Sequence, residues 1–308
     1  MAANTLDQLD LLLIRELEID ARRSYLAMAA KLGTTSGIVR RRLQRLLDER
    51  IIAIFTMTDP FAMGYAMLAT LWINVVPGKV DVVADKLASL RNVQHIRLIT
   101  GRYDMVATVV FRDPEDMLNM ASEEIGNIPD VIHIETMMIL KLVKNSWAYL
   151  GTDWKPVKQG LRHREFDDLD RLLITELKLS PRQTVTEIAT KLGINRSTAG
   201  RKLQTLLDDG LVRVVSIPNA TALGYSIQVL VLVKILSCKI HAVADEVARH
   251  EQVRHVSITA GQSDLTVWAA FRDMPDLHQF IGYVGTIPGV LSHETLMTSK
   301  VVKPSWDL

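Results

Sequence analysis

The chain states itself twice, and that repetition constrains its fold more than any single motif. Leu6-Asp7-Gln8-Leu9-Asp10 is answered 160 residues later by Phe166-Asp167-Asp168-Leu169-Asp170. At the same offset Lys31-Leu32-Gly33 returns as Lys191-Leu192-Gly193, Gly64-Tyr65 as Gly224-Tyr225, and Phe111-Arg112-Asp113 as Phe271-Arg272-Asp273. One residue then drops out. At an offset of 159, Ile128-Pro129 matches Ile287-Pro288, and Lys144, Ser146 and Trp147 match Lys303, Ser305 and Trp306. A period this long marks the duplication of a whole folding unit, not a solenoid repeat. Positions kept in both copies, and positions that differ, can therefore be compared within one sequence.

With 308 residues, 48% of them hydrophobic, and a net charge of +1, the chain has room for two to four cored domains of a soluble globular protein. No apolar run reaches the roughly 18 residues of a membrane span, and no basic-then-apolar leader opens the chain. The single cysteine, Cys238, rules out an internal disulfide framework and suits a reducing cytoplasm; it aligns with Gly78 and reads as a loop or packing residue. No triad, metal-ligand or phosphate-loop spacing is present, so neither catalytic residues, metal nor cofactor are expected. Charge is unevenly spread, however. Residues 22–50 hold eight Lys/Arg (Arg22, Arg23, Lys31, Arg40, Arg41, Arg42, Arg45, Arg50) against Asp48 and Glu49, and residues 182–213 hold six against three. A near-neutral chain with two basic patches has the asymmetry of a modular polyanion binder.

Each copy opens with three helices. Asp7 and Asp167 are N-cap residues ahead of apolar residues at helical spacing (Leu9, Leu12, Leu13, Leu17; Leu169, Leu172, Leu173, Leu177). A short second helix follows, opened in the second copy by a Thr184-x-x-Glu187 capping box and closed in both by glycine, Gly33 or Gly193. A third begins near Thr35 and Asn195, which completes a helix-turn-helix plan. At 100° per residue, Leu43 and Leu46 fall within about 40° of Val39, as do Leu203 and Leu206 of Ala199, and form the core stripe. Arg41 and Gln44 lie roughly 140–200° away on the open face and recur as Arg201 and Gln204. Arg and Gln are the side chains that pair bidentately with guanine and adenine edges in the major groove. Arg40, Arg41, Arg42, Gln44 and Arg45 in one copy, and Arg196, Arg201, Lys202 and Gln204 in the other, are therefore the expected contacts to double-stranded DNA. Flanking Arg22, Arg23, Arg182, Lys31 and Lys191 would touch phosphate or nothing. Ile38, Arg40 and Arg45 become Thr198, Gly200 and Thr205, so the two helices should not read the same half-site.

From Ala66 the pattern changes. Strands are expected over 67–76, 93–100, 105–111 and 131–140, with helices over 80–90 and from Asp113-Pro114 to about Gly126, and the second copy repeats the order. This βαββαβ succession predicts a ferredoxin-like α+β sandwich. Its helices cover one face of the sheet, and the opposite apolar face requires a partner, which the other copy provides. The expected division is a first helix-turn-helix over 1–56, a sheet domain over 57–147, a linker over 148–165, a second helix-turn-helix over 166–215 and a second sheet domain over 216–308. His95 and His255 match across copies, and strand alternation makes them packed or interface residues.

A helix-turn-helix opening with Leu-Asp-x-x-Asp, then Pro60-x-x-x-Gly64-Tyr65, then the loop Gly101-Arg102-Tyr103-Asp104, together resemble the Lrp/AsnC (feast/famine) transcriptional regulators. The resemblance covers both copies. It implies DNA binding by the first domain, and dimerisation and effector sensing by the second (RAM) domain. It also implies a small effector, usually an amino acid, held near the Gly-x-x-Asp loop. Carried over by position, the effector residues are Gly101, Tyr103, Asp104 and Thr136, with Gly261 and Asp264 in the second copy, where Ser263 replaces the aromatic. Family members build rings of dimers, and here the two copies would form an intrachain pseudo-dimer able to assemble further. Siroheme decarboxylases also resemble paired units of this type. An enzymatic reading, drawing on His95, His133, His255 and His293, therefore stands beside that of a regulator, as does a sensor that no longer touches DNA.

Overall fold

The computed structural model describes residues 6–150 and 166–303. Most of the expected linker and the repeated Ser305-Trp306 lie outside the described residues. In the first copy the elements run α1 (Gln8–Ile19), α2 (Tyr25–Leu32), α3 (Ser36–Asp48), β1 (Ile52–Thr58), β2 (Met67–Val75), α4 (Val80–Ser89), β3 (Val93–Thr100), β4 (Met105–Phe111), α5 (Pro114–Asn119) and β5 (Val131–Asn145). The second copy follows with α6 (Asp168–Leu179), α7 (Val185–Leu192), α8 (Arg196–Asp208), β6 (Val212–Pro218), β7 (Ile227–Ile235), α9 (Ile240–Arg249), β8 (Val253–Ala260), β9 (Leu265–Phe271), α10 (Met274–Thr286) and β10 (Val290–Lys303). In space the residues gather differently from their order in the sequence. One compact unit holds both helix-turn-helix segments, and the other holds both sheet segments.

In the helical unit, Asp7 and Asp10 form a reciprocal capping box on α1, repeated by Asp167 and Asp170 on α6. Two of the backbone donors that every helix start leaves orphaned are thereby satisfied. Thr184 and Glu187 do the same for α7. Gly33 and Gly193 both adopt φ 63, the left-handed conformation that ends α2 and α7 and aims the chain into the next helix.

The strands β1 and β6 are not expected from the sequence. They pair antiparallel with each other, from Ile52 opposite Pro218 to Thr58 opposite Val212, and so join the two copies. The Thr56 hydroxyl donates to the Leu177 carbonyl at 2.6 Å, tying β1 to the other copy's first helix. Arg22 and Arg182, expected at phosphate or in solvent, instead form a reciprocal clasp. Arg22 donates to the carbonyls of Pro181 (2.7 Å) and Gln183 (2.8 Å), and Arg182 to those of Ala21 and Arg23. Arg23 and Lys31 are likewise taken up by the nearly buried Glu16, and Lys191 pairs with Glu176 at 3.0 Å.

In the sheet unit each copy builds a four-stranded antiparallel sheet, ordered β3-β4-β2-β5 in one and β8-β9-β7-β10 in the other. The long last strands then cross to the partner copy. β5 pairs with β8, Met138 opposite Ala260, and β10 pairs with β3, Met297 opposite Thr100. These two seams close an eight-stranded barrel. Closure removes every sheet edge and turns the two uncovered faces toward each other. The crossing explains why β5 runs to Asn145, beyond the expected end at residue 140. Lys144 reaches over the seam and donates to the Ala248 (2.8 Å) and His250 (3.2 Å) carbonyls at the end of α9. Lys303 does the same for Ala88 (3.1 Å) and Val93 (2.6 Å) after α4. A cation on the free carbonyls of a helix end is favourable in hydrogen bonding and in dipole alignment. Burial brings the Lys144 ammonium down to about 8.

The dropped residue also has a physical account. Between Asp113 and Ile128 the first copy has one residue more than the second has between Asp273 and Ile287. α5 accordingly passes into a π turn at Met120–Ile125, where α10 runs on as ordinary α-helix. A π turn absorbs one extra residue without displacing the strand beyond it. The expected single helix to Gly126 is thus corrected to an α segment and then a π turn.

Candidate DNA-reading helices and effector mouth

α3 packs Val39, Leu43 and Leu46 inward, and α8 packs Ala199, Leu203 and Leu206. The periodicity of the sequence placed these residues correctly. On the opposite side Arg41 and Gln44 are exposed, as are Arg201 and Gln204, while Arg40 on the flank of α3 and Arg196 in the first turn of α8 are exposed as well. Among the described residues Arg40, Arg41, Arg196 and Arg201 make no ion pair. Gln44 and Gln204 each donate to an aspartate one turn on, Asp48 at 2.8 Å and Asp208 at 2.7 Å.

Three of the expected DNA contacts are held elsewhere. Arg42 donates to Asp7 at 2.6 Å and to Asp10 at 3.0 Å, and Arg45 pairs with the other oxygen of Asp10. Lys202 repeats the arrangement on Asp167 (2.5 Å) and Asp170 (3.0 Å). These cations brace the third helix against the start of the first and compensate Asp10 and Asp170, each only 1% exposed. The bonds from Arg42 and Lys202 hold Asp7 and Asp167 below the usual carboxylate range. Structure alone therefore explains why this basic position survived duplication, whereas it gives Arg41 and Arg201 no ion pair among the described residues.

The Gly-x-x-Asp loops join β3 to β4 and β8 to β9, and they meet each other across the two copies. Arg102 donates to the Gln262 side chain at 2.5 Å and its guanidinium lies 3.1 Å from the Glu294 carboxylate. The Tyr103 hydroxyl donates to Glu135, and the Tyr103 ring packs on Trp72 at 5.4 Å. Burial, reinforced by Glu135, pushes the phenol up to about 12. Glu135 and Glu294 are not among the residues expected from the sequence. They are equivalent at the 159-residue offset, each followed by threonine, and that shared Glu-Thr pair is the signal the sequence offers.

The other expected effector residues are shaped by the fold. Gly101 (φ 127) and Gly261 (φ 146) hold a backbone conformation that disfavours a side chain. A Cβ on Gly261 would sit 2.8 Å from Met137, and one on Gly101 would overlap Leu296, the equivalent residue. Each glycine thus permits the other copy's last strand to approach. Asp104 and Asp264 accept the backbone N–H of Val75 (2.9 Å) and Ile235 (2.7 Å), which pins each loop to its neighbouring strand. Thr136 lies between Ile134 and Met138, both packed on the helix-side core, so it faces away from Tyr103 and Glu135. Of the four histidines, His95 and His255 are buried beside Trp268 in the barrel interior, and His133 and His293 are exposed. The structure does not bring the four together.

A duplicated, winged helix-turn-helix protein with paired ferredoxin-like sheets is the class that this geometry defines. The family model of the Lrp/AsnC ligand binding domain matches residues 68–148 and again 228–307. The AsnC-type helix-turn-helix domain matches residues 6–47, and a winged helix-turn-helix DNA-binding domain matches 166–213. The chain belongs to the Lrp/AsnC family of transcriptional regulators.

An HTH-type transcriptional regulator of Pyrococcus furiosus is 32% identical over 145 residues, which cover 47% of this chain and 97% of that protein. Regulator Ptr1 of Methanocaldococcus jannaschii is 30% identical over 141 residues, covering 46% of this chain and 95% of that one. Each of these relatives therefore corresponds to about one copy of the repeat. Along its whole length the chain also resembles the crystal structure of the siroheme decarboxylase NirDL, with a TM-score of 0.65 over 97% of this chain and 93% of that one, at 14% identity. That likeness is one of fold. No helix among the described residues is long and apolar enough to cross a membrane.

Proposed function

We propose that the chain reads double-stranded DNA with two non-identical helices and adjusts that binding to a small effector, an amino acid or a related metabolite. One observation carries the DNA half. Arg41 and Arg201 are equivalent, exposed and, among the described residues, without an ion pair, on helices whose other basic position is committed to bracing. Arg40 and Gln44 beside Arg41, and Arg196 and Gln204 beside Arg201, complete the two reading surfaces. In this reading Arg42, Arg45 and Lys202 position the helix and leave the bases to their neighbours. The glutamines would exchange their aspartate partners for adenine edges.

The effector half rests on the loop cluster. Arg102, Tyr103 and Gln262, with the carboxylates of Glu135 and Glu294, match an ammonium and a carboxylate on one small molecule. Gly101, Gly261, Asp104 and Asp264 set the backbone around it.

Selection of bound sequences from random DNA, with and without an amino-acid pool, tests both halves. The expected result is a non-palindromic consensus whose enrichment changes with the pool. Affinity should fall steeply with salt as phosphate contacts release counterions. A binder indifferent to sequence would refute the reading heads, and enrichment unchanged by every amino acid would refute the effector.

A further inference from the structure

The interior of the barrel is asymmetric in a particular way. Where the copies face each other, several of the residues that touch differ between them. The Arg97 guanidinium lies 4.2 Å over the Trp268 ring and donates to the Gln228 side chain at 2.9 Å. The equivalents of these three residues in the opposite copy are Ser257, Thr108 and Leu68. None could make the same contact. Bulk alternates likewise: Trp72 and Tyr103 stand in the first copy where Leu232 and Ser263 stand in the second, and Trp268 answers Thr108. All pack in one buried interior cluster with Ile99, Val106, Met137, Leu230 and Leu296, or lie next to it. His95 and His255, which did not diverge, flank Trp268 at 4.7 and 5.2 Å.

We infer that the barrel interior is a heterotypic interface: the inner face of the first copy fits the second copy and rejects another first copy. A pair of first copies would deny each Arg97 its tryptophan face and its glutamine acceptor, and would crowd two Trp72–Tyr103 stacks. A pair of second copies would set two tryptophans together and leave unfilled space at both Ser263 positions. Losing a buried hydrogen-bond acceptor and overpacking or underfilling a core are each unfavourable. Specificity of this kind rests on penalties against the wrong partner as well as on contacts with the right one. The fitted partner is the other half of the same chain. The two reading heads accordingly always come as one first and one second copy.

The intact chain provides the test, by exchanging three residues at a time. Converting the second face to the first (Ser257→Arg, Trp268→Thr, Gln228→Leu) mimics a first-copy pair. Converting the first to the second (Arg97→Ser, Thr108→Trp, Leu68→Gln) mimics the reverse. Each should lower the melting temperature by on the order of 10 °C or prevent folding. The six-residue mirror variant transfers the stack to the opposite side and should melt within a few degrees of the wild type. Triple conversions that melt like the wild type would overturn the inference. So would a mirror variant no more stable than the triples, because the residues would then matter through their own sites and not through complementarity.

Discussion

The two third helices, α3 and α8, are the same device finished differently. Asp10 under α3 is held by Arg42 and Arg45, and Asp170 under α8 is held by Lys202, with Thr205 standing where Arg45 does. Outward, Arg41 and Gln44 keep their counterparts while Arg40 becomes Gly200. The bracing residues and the edges of the proposed reading surface have changed, but its centre has not. In the barrel interior it is central contacts that have diverged, since Arg97, Gln228 and Trp268 meet there and none has a like counterpart in the other copy. Each half has changed within the barrel interior and has kept the capping boxes and glycine stops that shape its own helices.

The largest effect expected concerns residues that did not diverge. Burial, with Arg97 nearby, brings His255 down to about 4 and holds His95 well below its ordinary value. A histidine with a depressed folded value stays neutral while the unfolded chain takes up a proton. Stability should therefore be complete above about pH 6.5 and fall as pH drops toward 4, each histidine contributing up to about 1.4 kcal/mol per pH unit. His255→Asn should flatten the lower part of a plot of melting temperature against pH. If it leaves the slope intact, the interior is not the seat of the effect.

Next in size, Asp10→Ala strands two arginines and removes a capping-box partner, at a cost of about 2–3 kcal/mol by denaturant unfolding. An unfolding midpoint unchanged by Asp10→Ala would show that the brace under α3 contributes nothing to stability. Arg41→Ala should weaken binding about tenfold, ~1.4 kcal/mol, with footprint protection lost from one half-site. Arg201→Ala should remove the other. Footprints that recede from both halves in either variant would show that the heads do not read separately. Smallest of all, Gln44→Ala removes an exposed bond to Asp48 and should shift stability by no more than about 0.5 kcal/mol while still lowering operator selectivity.

How much of the fold and site is legible in the sequence depends on the distance over which each decision is made. Helix starts at Asp7, Asp167 and Thr184, glycine stops at Gly33 and Gly193, and the inward stripe of α3 are set by residues within a few positions of one another, and they read correctly. The pairing of β1 with β6 joins segments 160 residues apart, and neither strand alternates clearly enough to announce itself. Arg22, Arg182, Lys144 and Lys303 look like surface cations because their acceptors are backbone carbonyls of the other copy, which carry no signature of their own. Glu135 and Glu294 are visible as a retained pair, but the family resemblance points to Thr136, and only strand alternation decides between neighbours on a strand. The π turn is present as a missing residue in the repeat, although counting alone does not say whether a loop or a helix absorbs it.

The barrel closure has a consequence for the life of the chain before it is complete. The first copy leaves the ribosome with β3 and β5 as open edges and its arginine- and tryptophan-bearing inner face uncovered, because both seams wait for β8 and β10. At typical synthesis rates the missing strands arrive roughly 8–30 s later. During that time the nascent half displays the unpaired edges that invite aggregation. A newly made chain should therefore depend on chaperones in proportion to the delay, and a slower stretch of translation within the second copy should lower the yield of soluble protein without altering a single contact in the finished molecule.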